Sequence, residues 1–155
     1  MDEGPRVYLV VVDDTPESRL ALRFAARRAA KTGGRVSLLH VMPPIDFIQW
    51  GGVQDVMEAE AQAKAEALLT EVADEVLAET GIRASISVRT GKPAEQVLGA
   101  LNDDESVHLL VLGAASKGAP GPLVAYFSGE VAGQLPCPVM IVPGGLPDDA
   151  VDRLA

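Results

Sequence analysis

The sequence predicts an α/β fold: one doubly wound sheet of five parallel strands in the order 3-2-1-4-5, with helices on both faces. Three observations lead there. Five short runs dominated by Val, Leu and Ile recur along the 155 residues, and continuous apolar runs of this kind mark strands buried on both faces. Segments with helical spacing of apolar residues separate them. Gly and Pro stand at most of the junctions and divide the chain into alternating units. Parallel strands joined by right-handed helical crossovers leave a doubly wound sheet as the natural solution.

The first strand is Val7 to Val12 (VYLVVV). Asp14 or Thr15 can cap the helix that follows, with Pro16 in its first turn, where a missing N–H loses no bond. Leu20, Ala21, Phe24, Ala25 and Ala29 recur at helical spacing, and Gly33-Gly34 end the helix. Val36 to Val41 (VSLLHV) is the second strand, stopped by Pro43-Pro44. Ile45 to Gln54 reads as irregular, with Phe47, Ile48 and Trp50 forming either a lid on the domain's own core or a contact surface.

A long helix is expected from Asp55 to Glu79, with Met57, Ala61, Leu68, Val72, Val76 and Leu77 on its inner stripe and glutamates outside. Ile82 to Val88 alternates apolar and polar residues, as a strand with one exposed face does. Gly91-Lys92-Pro93 opens a helix that turns Val97, Leu98 and Leu101 inward. Val107 to Leu112 (VHLLVL) is the fourth strand. A glycine-rich turn and a short helix lead to the fifth, Val139 to Val142 (VMIV). The expectation is a single domain over residues 1–155, its core at 7–143, with 144–155 a tail that makes a final turn at Asp148 to Leu154.

Thirteen Lys and Arg against 22 Asp and Glu give a formal charge of −9, a balance that repels phosphate backbones and argues against nucleic acid as a partner. A single small nucleotide senses the local field and stays open. Cys137 stands alone, so there is no disulfide framework or thiolate metal site, and between Pro136 and Pro138 it reads as an inert thiol. The N-terminal residues begin with acids and lack a basic segment ahead of a long apolar one. No apolar run approaches the roughly 18 residues of a membrane span. The expected location is the cytoplasm, with no membrane partner.

In a doubly wound sheet, ligands bind beyond the carboxyl ends of the strands where the winding reverses, here between strands one and four. The loops leaving those strands are Asp13-Asp14-Thr15 and the glycine-rich stretch VLGAASKGAPGPLVAYFSG, Val111 to Gly129. The two most unusual loops therefore meet at the place that geometry favours. Several motifs fail there. GAASKG begins like a P-loop, but Ala119 and Pro120 replace the lysine and hydroxyl that would hold phosphates and Mg²⁺. DDTPES has no glycine and so no dinucleotide fingerprint. Asp13-Asp14 resembles the acid pair of receiver domains, yet the ends of strands three and five, Ser87-Val88-Arg89-Thr90 and Ile141-Val142-Pro143-Gly144, lack the aspartate and lysine such a domain needs.

Asp13 reads equally as a capping acid or a ligand group, and Asp14 first as a cap. His40 and His108 lie within strand runs and read as core or edge histidines. No catalytic set of Ser, His and Asp or of Cys and His can be assembled.

Five segments, in order and spacing, resemble the universal stress protein family: VVVDDTPES with its alanine-rich helix, LLHVMPP, RTGKPAEQVL, LLVLGAASKGAPG and LPCPVMIVPG, spanning Val7 to Pro143. The resemblance implies a five-stranded parallel domain of the adenine nucleotide alpha hydrolase-like fold, a cytoplasmic stress-response role and a homodimer. One branch of the family binds ATP through a glycine, two residues, a glycine, nine residues, then glycine and Ser or Thr. Gly113 matches the first glycine, Ser116 stands where the second is expected, and Gly118 comes two places late. Nine residues after Gly118 come Ser128-Gly129, the final pair reversed; counting back from PCPV puts Ala125-Tyr126 there instead. Serine adds a Cβ to the cradle, where only glycine approaches a phosphate freely, although its hydroxyl can donate and Lys117 can add charge.

In nucleotide-binding relatives adenine sits against the ends of the first two strands, where Asp13 and Val41 fall in this chain. The resemblance thus implies an ATP, ADP or AMP site, with Mg²⁺ where phosphates require it. Its residues would be Val12, Asp13, Asp14, Thr15, Val41, Gly113, Ser116, Lys117, Gly118, Gly121, Ser128 and Gly129, with adenine near Asp13 and Val41 and the phosphates at the N–H groups of Gly113 to Gly121. Any hydrolysis would be slow, since no base or metal set is evident. The other expectation is a ligand-free interaction module of the same fold. In either case the short apolar run Val139–Val142, as an exposed edge strand, invites pairing with a second copy.

Overall fold

The computed structural model describes residues 4–44 and 51–155. In chain order they form β1 (Val7–Val11), α1 (Pro16–Thr32), β2 (Arg35–Met42), α2 (Gly51–Thr80), β3 (Ala84–Thr90), α3 (Pro93–Asp103) and β4 (Val107–Ala114). Then come α4 (Pro122–Phe127), a single 3-10 turn at Glu130–Gln134, β5 (Val139–Pro143) and α5 (Asp148–Leu154). Every strand pair is parallel and the order is β3-β2-β1-β4-β5, as the sequence predicts.

Alternation along the strands builds two cores, one per face. Tyr8, Val10 and Val12 of the first strand segment, with Leu38, Val111 and Val142, pack under α1 and α2. Leu9 and Val11, with Leu39, Leu110 and Leu112, pack under α3 and α4. Winding the first two helices onto one face and the next two onto the other is what reverses the chain between β1 and β4.

Three elements differ from expectation. The third strand is shifted, running Ala84–Thr90 rather than Ile82–Val88. Thr80 Oγ1 accepts from Ile82 N–H and holds Ile82 in the turn after α2, while pairing with β2 carries the strand on to Met42↔Thr90. The long helix begins at Gly51, so residues 51–54 are helical rather than irregular; the rest of that expected segment, 45–50 with Phe47, Ile48 and Trp50, lies outside the described residues. Its inner stripe centres on Leu69, 0% exposed, with Ala65, Val72 and Val76, whereas Leu68 is only half-buried.

The third difference is α5. Its DDAVDRL stretch is a helix whose Val151 is 0% exposed. Asp152 fastens it to α1: Arg23 donates from Nε and Nη2 to the two carboxylate oxygens, each at 2.8 Å, and Arg27 Nε lies 2.6 Å from Oδ1. Lys31 Nζ donates to the Ala155 carbonyl at 2.8 Å.

The hydrogen bond from Arg23, helped by the nearby charges of Arg27, Arg23 and Lys31 against a smaller desolvation, holds the Asp152 carboxyl below its ordinary range. A group whose pKa is depressed by folding stabilises the native state above its unfolded pKa and loses that contribution as pH falls through the folded value. Asp152→Asn should therefore melt at a lower temperature than wild type at neutral pH, with the gap closing below the ordinary aspartate value of 3.8. Paired thermal melts from pH 7 to pH 3 check this; a gap independent of pH would remove the carboxylate from the explanation.

Candidate functional site

The site grows from how β1 ends. Thr15 is in extended backbone (φ −95, ψ 150) and caps α1, its Oγ1 accepting from Ser18 N–H at 3.2 Å. Pro16 follows in the first turn. Asp13 is not the cap but braces it: its Oδ1 accepts from Thr15 N–H at 2.9 Å and from the Thr15 hydroxyl. Ser18, 4% exposed, reaches back under the turn, accepting from Asp13 N–H at 3.0 Å and donating to Val11 C=O at 3.2 Å. One hydroxyl thereby satisfies two backbone groups that face β4 after pairing has ended.

Gly113 lies directly across from this turn. A Cβ there would stand 2.1 Å from Glu17 O and 2.4 Å from Glu17 C, so the first turn of α1 rests on bare backbone of β4. This contact brings the Asp13 loop and the glycine-rich loop together at one cleft, as the winding predicts. The cleft is a cavity of about 190 Å³ lined by Asp13, Thr15, Ser18, Gly113, Gly121 and neighbouring apolar residues of β1, β4 and α4.

Beyond Gly113 the chain folds tightly on itself. Ala115 N–H donates to Pro120 C=O at 3.0 Å, and Gly121 turns into α4 at φ +118, a conformation that only glycine adopts without strain. Ser116, Lys117 and Gly118 lie on the outside of that loop, all three exposed. Ser128 and Gly129 are not in the cavity. They close the far end of α4, where Ser128 Oγ donates to Val124 C=O at 2.6 Å and Gly129 N–H donates to Tyr126 C=O at 3.3 Å.

Val12 and Asp14 line a different space, a groove of about 470 Å³ between α1 and α2 that Asp13 also borders. Arg19–Glu75 at 3.7 Å and Arg27–Glu79 at 3.8 Å span it. Val41 is half-buried against the α3–α4 core. His40, on the opposite face of β2, places Nδ1 2.8 Å from Val12 C=O. Ser18 and His40 are the two side chains that sequence reasoning missed. DDTPES carries the signal for Ser18, three residues after the cap, but nothing in LLHV marks which carbonyl His40 reaches.

Among the described residues no group of three or more His, Cys, Asp or Glu is placed to hold a metal ion. Burial pushes the Cys137 thiol up, so it stays protonated and weakly nucleophilic at neutral pH.

The Universal stress protein family model matches residues 6–143. The chain belongs to the universal stress protein family. Its fold recurs in UspA of Lactobacillus plantarum, with a TM-score of 0.73 and 19% identity over 88% of this chain and 97% of that one. A universal stress protein solved in complex with cAMP aligns with a TM-score of 0.66 and 19% identity over 90% and 98% of the two chains. A family protein from Arabidopsis thaliana with AMP bound gives 0.59 and 19% over 90% and 92%. At these identities the likeness is one of fold. Curated protein sequences give no match.

Proposed function

We propose that this universal stress protein is a cytoplasmic stress-response module that holds an adenine nucleotide where β1 and β4 part, and that a nucleoside monophosphate suits the cleft better than a magnesium-bound triphosphate. The observation that carries this reading is the convergence of Asp13, Thr15, Gly113 and Gly121, which come from two loops far apart in sequence, on one cavity. The cAMP and AMP complexes of its structural relatives support the ligand class.

The preference for a monophosphate rests on chemistry at the rim. The cavity of about 190 Å³ is below the roughly 300–1,000 Å³ of sites that enclose a whole ligand, so part of any nucleotide lies on the open face. Ser116 stands in place of the second phosphate-loop glycine, and Ser128-Gly129 sit at the wrong end of α4. Magnesium in nucleotide sites uses one or two carboxylates plus phosphate oxygens. Here Asp13 Oδ1 already receives both donors of Thr15. Asp14 and Glu17 add negative charge close by, where a triphosphate would add more. No helix among the described residues is long and apolar enough to cross a membrane.

A second reading, a ligand-free module acting through a homodimer, draws on β5. It forms a sheet edge, and its Ile141 is 40% exposed. Pairing of two such edges through Val139–Val142 would cover it.

Thermal melts with AMP, cAMP and Mg–ATP separate the readings. A ligand at about 100 times its Kd stabilises by ~2.7 kcal/mol, which shifts Tm by roughly 5–10 °C in a chain of this size. The expected order is AMP or cAMP above Mg–ATP. A flat response to all three at millimolar concentration leaves the ligand-free module.

A further inference from the structure

The groove between α1 and α2 is larger than the cleft between β1 and β4, and its floor belongs to the core on the other face of the sheet. It follows α1 from Pro16 to Arg27 and α2 from Leu68 to Thr80. At about 1.5 Å of rise per residue that is a length of ~16–18 Å. A volume of about 470 Å³ spread along it makes a long slot, within the size range of small-molecule sites. Leu22, Ala26, Val72 and Val76 give it an apolar floor. Leu146 and Asp148, where α5 begins, add a further wall from beyond the 6–143 span of the family match.

One buried donor on this slot lacks an acceptor. Arg27 gives its Nε to Asp152, 2.6 Å away and outside the slot, and turns Nη1 toward Glu79, which lines it. Nη1 is buried, and among the described residues nothing hydrogen-bonds it. Glu79 Oε2 stands 3.8 Å off, beyond hydrogen-bond reach, on a side chain 58% exposed. A buried donor left unpaired is costly, so an acceptor arriving in the slot gains by meeting it. Charge selects the kind of acceptor. Three arginines face five carboxylates along the lining, and Asp152 already holds Arg23 and Arg27 from behind. A further carboxylate would meet net negative charge, and like charges brought together repel. A carbonyl would not. We propose that the α1–α2 slot binds a small molecule with a linear apolar chain and one neutral carbonyl, such as an ester or amide of a medium-chain acid. Its chain lies along Leu22, Val72 and Val76, and its carbonyl accepts from Arg27 Nη1. This inference stands apart from the nucleotide reading.

Calorimetric titration of the full-length chain with methyl octanoate and with octanoate tests this, alongside NMR of the Leu22, Leu68, Val72 and Val76 methyls. The wild type should bind the ester, shift those methyls, and bind the carboxylate at least ~10-fold more weakly. Glu79→Gln removes one acid from the rim and should narrow that gap. Arg27→Lys keeps a charge beside Asp152 but loses the forked donor, and should weaken the ester about tenfold. Leu68 is only partly buried beside the floor, so Leu68→Trp should fold, fill the slot and abolish the methyl shifts while leaving Arg27 and α5 untouched. No heat and no shift on adding the ester to the wild type would leave the slot to water and overturn the proposal. Octanoate binding as tightly as the ester, an Arg27→Lys protein that binds like wild type, or a Leu68→Trp protein that still binds would each overturn it too. AMP added to the ester complex should leave the methyl shifts in place, and whether AMP itself binds is read separately, at the cleft between β1 and β4.

Discussion

Gly113→Ala should destabilise the protein by roughly 3 kcal/mol or more, the upper end of what overpacking costs, and lower Tm by roughly 6–12 °C. The new methyl would stand 2.1 Å from Glu17 O and 2.4 Å from Glu17 C. These are backbone atoms in the first turn of α1, and no rotamer change moves them aside. Either the helix lifts off β4 or β4 bends. Both movements pull the Asp13–Thr15 turn away from the β4 loop, so any nucleotide affinity should fall along with stability. Gly121→Ala provides the contrast. A Cβ there meets nothing within 4 Å, but its φ of +118 strains any other residue, so the penalty is conformational, about 1–3 kcal/mol. Chemical denaturation of both variants checks the ranking, and a Gly113→Ala protein as stable as wild type would mean that α1 does not rest on β4 as described.

Gly113 also shows how far the sequence reaches. A glycine at the end of strand four reads as room for a phosphate, because glycine lets backbone approach an anion. Its hydrogen does permit a close approach, but the group that approaches is the Glu17 carbonyl. The strands were legible because VYLVVV, VSLLHV and VHLLVL can be buried on both faces only between helices, and a doubly wound sheet in the order 3-2-1-4-5 was the arrangement taken for them. The meeting of the Asp13 and Gly113 loops followed from that order. The boundaries of β3 were less legible, because Ile82 continues the alternation in phase although Thr80 holds it in a turn. The sequence marks a final turn at Asp148 to Leu154, the span of α5, but not its docking, which depends on Arg23 and Asp152, 129 positions apart; local periodicity carries no trace of such a pair. Ser18 and His40 act on backbone groups left over where a strand ends, and which groups are left over depends on register.

Phe127→Ala should cost about 3–5 kcal/mol, the range for deleting a buried aromatic side chain, and lower Tm by roughly 10 °C or more. Phe127 is 1% exposed at the end of α4, packed with Val97, Leu101 and Leu112 in the core under α3 and α4. Tyr126 stacks edge-on against it, ring centroids 4.9 Å apart at 85°. The helix it anchors is only six residues long, too short to hold itself together without packing. Its other buried side chain, Val124, lines the cleft with Leu123. Losing the Phe127 ring therefore removes what holds one wall of the candidate site, not only core volume. Phe127→Leu keeps most of the apolar contact and should lose less than half as much. If α4 is held by the ring, the alanine variant should also show faster amide exchange from Val124 to Ser128 at temperatures well below its melt. Equal protection of those amides in both proteins would place the anchoring of α4 elsewhere, in the turn that Gly121 and Pro122 make at its start.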